Sequence, residues 1–383
     1  MSCLLYISNS EIPSHEANSV HVANICNSLA NYKDVILYCF SNIGSEELKR
    51  IYGVENYFVI FSPLTANRSR LARIGQAIAA LFQLRGKPKF NCIIARDRLA
   101  VLIVSMYYPK VPFLFDAHSM PVGKMGRFIE RALFSRPNFR HLTVTSQRMK
   151  QDYLKSYPNL KSNKIKVLPN GASSKRIVEL KDGISLKGRE EALNLGYAGR
   201  LIRGKGLGIV IDLAHRNPDM NFHVFGGSES EVEYWKNKSS ANTFFYGHVK
   251  HSNLLGIFRK IDIFLAPIQE KMLLNNNGVD IGRWTSPIKI FEYMASQRPL
   301  IASDSENLKG ILVHEENCIL CKSDDVDDWA RSVRRLAEDP ALRARLAEAA
   351  YQDFLENFTW DARAQKMLSL VDPEFGIKST TEN

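Results

Sequence analysis

The chain has 383 residues, of which 45% are hydrophobic and 24% charged, so it is long enough for two packed domains and too apolar to be disordered. Its formal net charge of +11 calls for an anionic partner, such as the phosphates of a small molecule, an anionic membrane or nucleic acid. No motif typical of RNA or DNA binding accompanies the charge, so we expect no nucleic-acid partner.

The cysteines and the apolar runs indicate where in the cell the protein is located. Six cysteines are scattered along the chain, and Cys318-x-x-Cys321 has no second pair beside it, so we expect reduced, buried thiols. The first residues lack the basic and apolar regions of a signal peptide, and the longest apolar run, Leu99–Tyr108, is too short to span a bilayer. These features predict a cytoplasmic protein, with a peripheral position on the inner face of a membrane left open.

Short apolar runs alternate with helical patterns in both halves of the chain. In the first half the strand-like runs are Cys3–Ser8, Val35–Phe40, Tyr57–Phe61, Cys92–Ala95, Pro112–Ala117, Leu142–Thr145 and Ile165–Leu168. In the second half they are Leu193–Ala198, Phe222–Phe225, Ile261–Ala266, Leu300–Ser303 and Cys318–Leu320. This alternation predicts an α/β fold with two Rossmann-like, doubly wound parallel sheets facing a cleft. The turn at Pro169-Asn170-Gly171 separates them, giving an N-terminal domain over 1–172 and a C-terminal domain over 173–358.

Two strands of the first domain end in polar residues. Asp116-Ala117-His118 follows the fifth strand, and Arg96-Asp97 follows the fourth. Because the carboxyl ends of parallel strands line the ligand-binding crevice, His118 is a candidate site residue. Arg96 and Asp97 either contact a ligand there or only cap the next helix.

A glycine-rich turn follows the first strand of the second domain. It reads Gly199-Arg-Leu-Ile-Arg-Gly-Lys-Gly206 and leads into a predicted helix, Leu207–His215. Backbone N–H groups at such a turn bind phosphate, and Arg200 and Lys205 add two positive charges. The turn therefore predicts a phosphate site.

The stretch Ser286–Asp304 predicts a helix followed by a buried strand. Thr285 or Ser286 can cap the helix, and Pro287 suits its first position, where no N–H is needed. Glu292 lies among apolar residues of this helix, and a carboxylate there needs partners. The two hydroxyls of a ribose would satisfy it, whereas the alternative is an ordinary exposed glutamate.

The sequence Ser-Pro-x-Lys-Ile-Phe-Glu-Tyr-Met-Ala from Ser286, followed by Arg298-Pro299 and an Ile-Ala-Ser-Asp strand, closely resembles the donor-binding motif of GT-B glycosyltransferases, specifically glycosyltransferase family 4. The family usually has Glu-x7-Glu. Glu292 matches the second glutamate, but Trp284 replaces the first, and Gln297 stands where the family commonly has glycine. Trp284 raises the prospect of a different donor sugar or sugar orientation.

The resemblance implies roles for the residues that match it. His118 resembles the active-site histidine near the donor sugar, Arg200 and Lys205 resemble the diphosphate clamp, and Glu292 would anchor the ribose. These four are the expected catalytic residues. The expected donor-binding residues are Gly199, Arg200, Lys205, Gly247, Val249, Thr285, Ser286, Ile288, Lys289 and Glu292.

The resemblance also concerns the acceptor side and the end of the chain. The loop Ser8–Ser19 usually carries a glycine pair in the family, and Ala17-Asn18-Ser19 takes that place here. Asn18, Ser19 and Arg96 are therefore the expected acceptor-side residues. The helix over 359–375 would pack back on the N-terminal domain.

The family resemblance implies a retaining transfer in which fixed positive charges and helix N–H groups stabilise the departing diphosphate. We expect no metal and no cofactor, and we interpret Asp325-Val326-Asp327 as a helix cap.

Two basic stretches predict contact with an anionic membrane. Residues 68–87 combine an apolar stripe with basic residues and no acidic one, and residues 120–140 carry five basic residues against Glu130 alone. The alternative is a helix packed on the sheet with a solvated charged face.

We therefore predict a glycosyltransferase that moves a sugar from a UDP- or GDP-sugar to a saccharide or a lipid-linked saccharide, in polysaccharide, lipopolysaccharide or other glycolipid biosynthesis. The alternatives are a nucleotide-sugar epimerase or phosphorylase on the same fold, and a non-catalytic membrane-associated scaffold.

Overall fold

The computed structural model describes residues 3–14, 17–56, 58–61, 75, 78, 81, 89–174, 185–202, 205–249, 251–269, 273–274, 279–280 and 288–375. The chain divides into two compact units. Unit 1 comprises Met1–Asn170 and Trp360–Asn383, and unit 2 comprises Gly171–Thr359. The first division thus falls at Asn170, close to the predicted 172.

Unit 1 is a parallel sheet of seven strands in the order β3-β2-β1-β4-β5-β6-β7. Its strands are β1 (Cys3–Ile12), β2 (Val35–Ser41), β3 (Val59–Phe61), β4 (Phe90–Ala95), β5 (Phe113–Ala117), β6 (Phe139–Val144) and β7 (Ile165–Val167). Its described helices are α1 (Ala17–Leu29), α2 (Ser45–Tyr52), α3 (Arg98–Tyr107), α4 (Gly123–Phe134), α5 (Gln147–Ser156) and a 3-10 turn (Ser162–Lys164).

Unit 2 repeats this architecture with six strands in the order β10-β9-β8-β11-β14-β15, all parallel. The strands are β8 (Asn194–Ala198), β9 (Asn221–Phe225), β10 (Thr243–Phe245), β11 (Ile263–Ala266), β14 (Leu300–Ser303) and β15 (Ile319–Cys321). A separate antiparallel pair joins β12 (Leu273–Leu274) to β13 (Val279–Asp280). The helices are α6 (Leu207–Arg216), α7 (Glu229–Lys236), α8 (His251–Phe258), α9 (Ile288–Ala295), α10 (Val326–Glu338) and α11 (Pro340–Asn357).

Helix α12 (Trp360–Val371) belongs to unit 1, although it follows unit 2 in the chain. Its buried stripe includes Trp360, Met367 and Val371 and packs against α1 and the central strands. At its end, Asp372 forms a buried ion pair with Lys33, and the Leu370 carbonyl lies 3.0 Å from His141 Nδ1. Unit 1 is therefore built from two separate pieces of the chain.

The predicted fold class, two Rossmann-like domains with doubly wound parallel sheets as in GT-B proteins, is confirmed. Strands such as β5 are buried over their whole length, as expected when helices cover both faces of a parallel sheet. The predicted cap at Asp325 is also confirmed, because its side chain accepts a hydrogen bond of 3.0 Å from the Asp328 N–H. No helix among the described residues is long and apolar enough to cross a membrane.

The predicted extent of the first loop is wrong. Instead of leaving the sheet at Ser8, β1 continues to Ile12, because Glu11 and Ile12 pair with Phe40 and Ser41 of β2 beyond an irregularity in the ladder. Asn18 and Ser19 consequently lie in the first turn of α1. Strand β10 and the pair β12–β13 were not predicted from the sequence.

The order of strands locates the crevice of each unit. In unit 1 the winding reverses between β1 and β4, and in unit 2 it reverses between β8 and β11. Ligands of doubly wound folds bind at the carboxyl ends of the strands at this reversal. The predicted residues Arg96 and Gly199 immediately follow two of these strands, β4 and β8.

Candidate functional site

The glycine-rich turn of unit 2 is held in a conformation that only glycine allows at its last position. Gly206 precedes α6 with a φ of 79°, in the left-handed region. A Cβ there would lie 1.7 Å from the carbonyl oxygen of Pro267, which follows β11. Glycine therefore lets the turn approach the neighbouring strand end and brings Lys205 to the reversal point of the sheet.

Three basic residues contact Tyr197 at this point, two through their main-chain carbonyls and one through its side chain. The Tyr197 hydroxyl lies within hydrogen-bonding distance of the carbonyls of Arg200 and Lys205, at 3.3 and 3.2 Å. Lys289, from the first turn of α9, places its Nζ 4.7 Å from the centre of the Tyr197 ring. Two segments far apart in sequence thus deliver their cations to one place.

The electrostatics of this cluster call for an anion. Burial, and then the charge of Lys205, lowers the pKa of Lys289 to about 7. Burial and the nearby Arg200 likewise lower the pKa of Lys205. Since the charged groups responsible for these shifts are other cations, a bound anion would relieve their repulsion. This arrangement suits the phosphates of a nucleotide.

Helix α9 is fixed to the same strand end. The Tyr293 hydroxyl accepts a hydrogen bond of 2.7 Å from the Ala198 N–H, and its ring stacks on Phe264 at 4.0 Å. Glu292 is 9% exposed beside these fully buried residues. Ile288 begins the helix. Gln297, just beyond the helix, has a φ of 56°, so the residue replacing the family's usual glycine adopts a conformation that favours glycine.

The ends of three neighbouring strands meet through glycines. The Gly199 N–H donates to the Phe225 carbonyl at 2.9 Å, and the Gly226 N–H donates to the Gly247 carbonyl at 2.6 Å. A Cβ on Gly226 would lie 2.1 Å from the Gly199 carbonyl oxygen. Gly199 and Gly247 are therefore brought close together, whereas Val249 is buried in the core beside Ala198 and Phe225. Of the predicted donor-binding residues, Thr285 and Ser286 lie outside the described residues, as does Trp284.

In unit 1, Asp116 is the centre of a buried network at the end of β5. Its Oδ2 accepts a hydrogen bond from Nε2 of His118 at 3.0 Å. Its Oδ1 accepts hydrogen bonds from Nη2 of Arg363 and from the Thr143 hydroxyl, each at 2.7 Å. Arg363 also donates to the carbonyls of Leu168 and Pro169. Helix α12 thus completes the surroundings of the predicted His118.

The second histidine in this network, His21 of α1, makes edge-on ring contacts with both His118 and Trp360, at centroid distances of 4.7 and 4.9 Å. Neither ring nitrogen of His21 has a hydrogen-bond partner among the described residues, and its Nε2 lies 3.9 Å from Asp116 Oδ2. Burial, and then the charge of Arg96, holds the pKa of His21 well below its usual value. His21 is therefore neutral.

The predicted acceptor-side residues are partly brought together. Nη2 of Arg96 donates to the Asn18 side-chain oxygen at 2.6 Å, which joins the end of β4 to the start of α1. Ser19 is buried and donates to the Ser14 carbonyl at 2.8 Å. Asp97 caps α3 by accepting from two N–H groups, as the alternative prediction for Arg96-Asp97 proposed.

His21, Asp116 and His118 have a spacing that a metal ion could use, because one ligand atom from each lies within 4.8 Å of the others. Their charge environment suits a cation poorly. Asp116 is already paired with Arg363, and the guanidinium of Arg96 adds a second positive charge nearby. That the protein needs no metal stays a prediction.

Sequence reasoning missed Asp116, Arg363, His21 and Tyr197 as parts of these sites. One signal was present for Arg363. It occupies a position in the apolar stripe of the last helix, where a charged residue requires a buried partner.

Two glycosyltransferase family models match parts of this chain. A family model described as Glycosyltransferase Family 4 matches residues 19–176, and a model described as Glycosyl transferase-like matches residues 208–369. The two halves of the chain thus match two glycosyltransferase family models, and the two doubly wound sheets have the GT-B fold. The first half of the chain is similar to family 4, as predicted.

Curated relatives resemble only part of the chain. Glycogen synthase of Mycobacterium tuberculosis strain H37Rv is 25% identical over 178 residues, which is 44% of this chain and 39% of that protein. The lipopolysaccharide core biosynthesis glycosyltransferase LpsE of Rhizobium meliloti is 23% identical over 207 residues, 54% of this chain and 57% of that protein. These matches therefore span about two fifths to just over half of the relatives' lengths.

Solved structures resemble nearly the whole chain in fold. Sucrose-phosphate synthase of Thermosynechococcus elongatus has a TM-score of 0.71 at 18% identity, with 98% of this chain and 100% of that chain covered. HepE of Anabaena in complex with UDP and glucose has a TM-score of 0.67 at 14% identity, with coverages of 97% and 100%. At these identities the likeness concerns the fold alone.

Proposed function

We propose that the protein is a retaining, metal-independent hexosyltransferase that moves a sugar from a UDP- or GDP-sugar to a saccharide or a lipid-linked saccharide. The observation that carries the proposal is that Arg200, Lys205 and Lys289 all contact Tyr197. The charges of Arg200 and Lys205 interact with each other, as do those of Lys205 and Lys289. Cleavage of a sugar–phosphate bond leaves negative charge on the diphosphate. Cations already held in place stabilise that charge without reorganisation during the reaction.

The remaining roles follow from position. Glu292, largely buried three residues after Lys289, would accept hydrogen bonds from the ribose hydroxyls. His118 would contact the sugar, and the leaving diphosphate would take the acceptor's proton. The balance is then simple. The acceptor oxygen forms the new bond to the anomeric carbon, the bond to the diphosphate oxygen breaks with its electron pair, and the acceptor proton passes to the diphosphate.

The comparisons favour particular ligands for the first tests. HepE, of similar fold, is seen with UDP and with UDP-glucose, so uridine nucleotides come first. The name of LpsE supports an acceptor from lipopolysaccharide core biosynthesis, and the glycogen synthase supports a polysaccharide. The acceptor class thus extends from a lipid-linked oligosaccharide to a free glucan.

A thermal-shift panel of UDP, GDP, ADP and their sugars tests the donor site. One nucleotide should raise the melting temperature of the wild type, and Glu292→Gln and Lys205→Gln should lose that stabilisation. Glu233→Gln and Lys236→Gln, on the exposed surface of α7, serve as matched controls and should keep it. No stabilisation of folded wild type by any nucleotide would contradict the proposal and favour the scaffold alternative.

Product analysis separates transfer from the other chemistries of this fold. The donor that stabilises the protein is incubated with a lipopolysaccharide core oligosaccharide or glycogen primer, and the products are separated. A glycosylated acceptor with retained anomeric configuration supports the proposal. Conversion of the donor to another nucleotide sugar without an acceptor identifies an epimerase, and release of sugar 1-phosphate from a glucan supplied with inorganic phosphate identifies a phosphorylase.

The proposal includes a membrane-facing surface formed by α4. Val122, Met125 and Phe128 recur every three residues and are 91%, 62% and 66% exposed. The basic residues Lys124 and Arg127 are exposed beside them. An exposed apolar row with flanking positive charge fits an anionic lipid surface. Most of the other basic stretch, 68–87, lies outside the described residues.

The burial of Glu130 supports the proposal that α4 faces an anionic membrane. This residue faces inward, where it accepts hydrogen bonds from the Tyr153 and Tyr157 hydroxyls at 3.2 and 2.7 Å and pairs with Arg98. The single acidic residue of 120–140 is thus removed from the surface, and the outward charge of the helix is entirely basic. The fold buries a carboxylate here while leaving Phe128 outside.

Co-flotation with vesicles tests this surface. Vesicles that contain anionic phosphatidylglycerol should bind the wild type, whereas pure phosphatidylcholine should bind it weakly. Phe128→Ser and Arg127→Glu should each reduce binding, and Ile51→Ser, at an exposed apolar position on α2, should not. Equal binding by wild type and Phe128→Ser would remove the membrane role without affecting the donor-site proposal.

A further inference from the structure

The Asp116 carboxylate joins Arg363 to His118. No hydrogen bond between these two side chains is present in the part of the chain that the structure describes. Arg363 binds the opposite oxygen of the carboxylate that His118 itself contacts. Arg363 and Asp116 are only 2% and 1% exposed, so their interaction is little screened by water.

The groups around the two imidazoles come from every neighbouring element. They are His21 of α1, Arg96 after β4, Asp116 of β5, Thr143 of β6 and Arg363 of α12, and Tyr6 of β1 interacts with Arg96, Asp116 and Arg363 of the same cluster. Among these, Asp116 supplies one negative charge and the two arginines supply two positive charges. Protonation of either histidine would add a third positive charge to a buried cluster.

The protonation states follow from this count. Burial raises the pKa of Asp116, but Arg363 and then His118 outweigh it and hold that pKa well below the usual value. Burial, then Arg96, lowers the pKa of His118 to about 4. Because an ionised Asp116 can only accept, His118 must donate from Nε2, and its Nδ1 carries a lone pair.

We propose that Arg363 is a positioning residue that acts through Asp116 to hold His118 as a neutral imidazole with its proton on Nε2, so that Nδ1 accepts a hydrogen bond from a sugar hydroxyl. Within the described chain, Nδ1 of His118 has no partner, and 21% of the His118 side chain is exposed. The role as sugar acceptor rests on the proposed function, whereas the tautomer does not.

Removing the guanidinium of Arg363 should change the protonation state of His118 as well as lower the stability of the fold. Without Arg363, the buried Asp116 loses its paired guanidinium, and a proton on the imidazole that contacts it would replace that charge. His118 then takes up a proton, and Nδ1 becomes a donor that repels the hydroxyl hydrogen it formerly accepted. A structural role alone, through the bonds to Leu168 and Pro169, would leave the imidazole unchanged.

Nitrogen-15 spectra of the histidine rings test the proposal without any substrate. The His118 signals are assigned by comparison with His118→Asn. In the wild type at pH 7 they should show a neutral ring with the proton on Nε2. A wild-type imidazolium, or a proton on Nδ1, would overturn the proposal before any further variant is made.

Arg363→Gln should shift these signals toward imidazolium and lower kcat by about 100-fold, with UDP affinity unchanged. Arg363→Lys, which keeps the charge, should restore the tautomer and part of the rate. The matched control is Lys33→Gln, which breaks another buried pair beside α12. It should lower the melting temperature while leaving kcat within about threefold and the tautomer unchanged.

If Arg363→Gln does not fold, Asp116→Asn replaces it, because an amide of the same shape no longer demands a donor from Nε2. An unchanged tautomer in the folded variant would overturn the proposal. Failure of the wild type to bind any nucleotide would instead contradict the proposed function, and the ring spectra would still decide the tautomer.

Discussion

The ammonium group of Lys289 lies over the ring of Tyr197, 4.7 Å from its centre, while the hydroxyl of the same tyrosine reaches the main chain of Arg200 and Lys205. One side chain thus connects the start of α9 to the glycine-rich turn. This contact makes Lys289 part of the predicted phosphate site, where its side chain is half-buried.

The affinity for UDP should fall as pH rises above neutrality. Since burial and Lys205 lower the pKa of Lys289 to about 7, this group is charged below pH 7 and neutral above it in the empty site. A diphosphate favours the charged form, so binding takes up a proton. We expect the dissociation constant to rise by up to about tenfold per pH unit between pH 7.5 and 9.

Calorimetry in buffers of different ionisation enthalpy measures both the affinity and the proton uptake. Lys289→Arg keeps its charge over this range and should bind UDP with little dependence on pH. A wild type whose UDP affinity and proton uptake match those of Lys289→Arg at every pH would show that Lys289 does not titrate at the site.

Substitution of Gly206 should damage both stability and the phosphate site. Gly206→Ala places a Cβ 1.7 Å from the Pro267 carbonyl oxygen at a φ of 79°, which we expect to cost at least about 2 kcal/mol and to displace Lys205. Denaturant unfolding and UDP binding measure the two effects.

Gly208→Ala is the matched control, because a Cβ at this position in the first turn of α6 would meet no atom of the described residues within 4 Å. It should leave UDP binding intact and raise stability by about 0.5–1 kcal/mol, since alanine favours the helix. Equal effects of the two substitutions would show that neither stability nor UDP binding requires the close approach of Gly206 to Pro267.

The hydroxyl of Tyr293 should contribute to the stability of unit 2. Tyr293→Phe keeps the stacking on Phe264 but leaves the Ala198 N–H without its acceptor, which should cost about 1–3 kcal/mol in denaturant unfolding. Tyr351→Phe, on α11, removes a partly buried hydroxyl that makes no hydrogen bond among the described residues and should cost much less. A negligible loss for Tyr293→Phe would mean that water replaces the hydroxyl.

Chelation should not inactivate the protein. The spacing of His21, Asp116 and His118 permits a metal ion, but Arg363 already occupies the carboxylate. We expect activity to be unchanged after dialysis against EDTA, and elemental analysis to find no stoichiometric transition metal. If the protein instead holds zinc, if removing the zinc lowers kcat, and if His21→Asn also loses the zinc and the activity, a metal belongs in this network.

The sequence predicts the parts of this molecule that depend on local pattern. Continuous apolar runs such as Ile263–Ala266 are typical of parallel strands buried on both faces, and the structure has them as strands. The placement of His118 after β5 and of Arg200 after β8 follows from the same alternation. The glycine-rich turn is likewise local, because its residues are consecutive.

The missed features depend on contacts between distant residues. Asp116 and Arg363 are 247 positions apart, and no periodicity relates them. The polar run from Ser8 to Glu11 has the composition of a loop, but pairing with β2 keeps its end in the sheet. Lys289 and Tyr197 meet because α9 packs on β8, and local sequence patterns do not predict such a tertiary contact.

The division of unit 1 into two pieces has a consequence for folding during synthesis. Residues up to Asn170 and all of unit 2 leave the ribosome before α12 does. Until then Asp116 lacks its ion pair with Arg363, and the apolar surface that α12 will cover stays open to water. Unit 2 can therefore fold while unit 1 is still incomplete, and the ion pair between Asp116 and Arg363 forms only once α12 has docked.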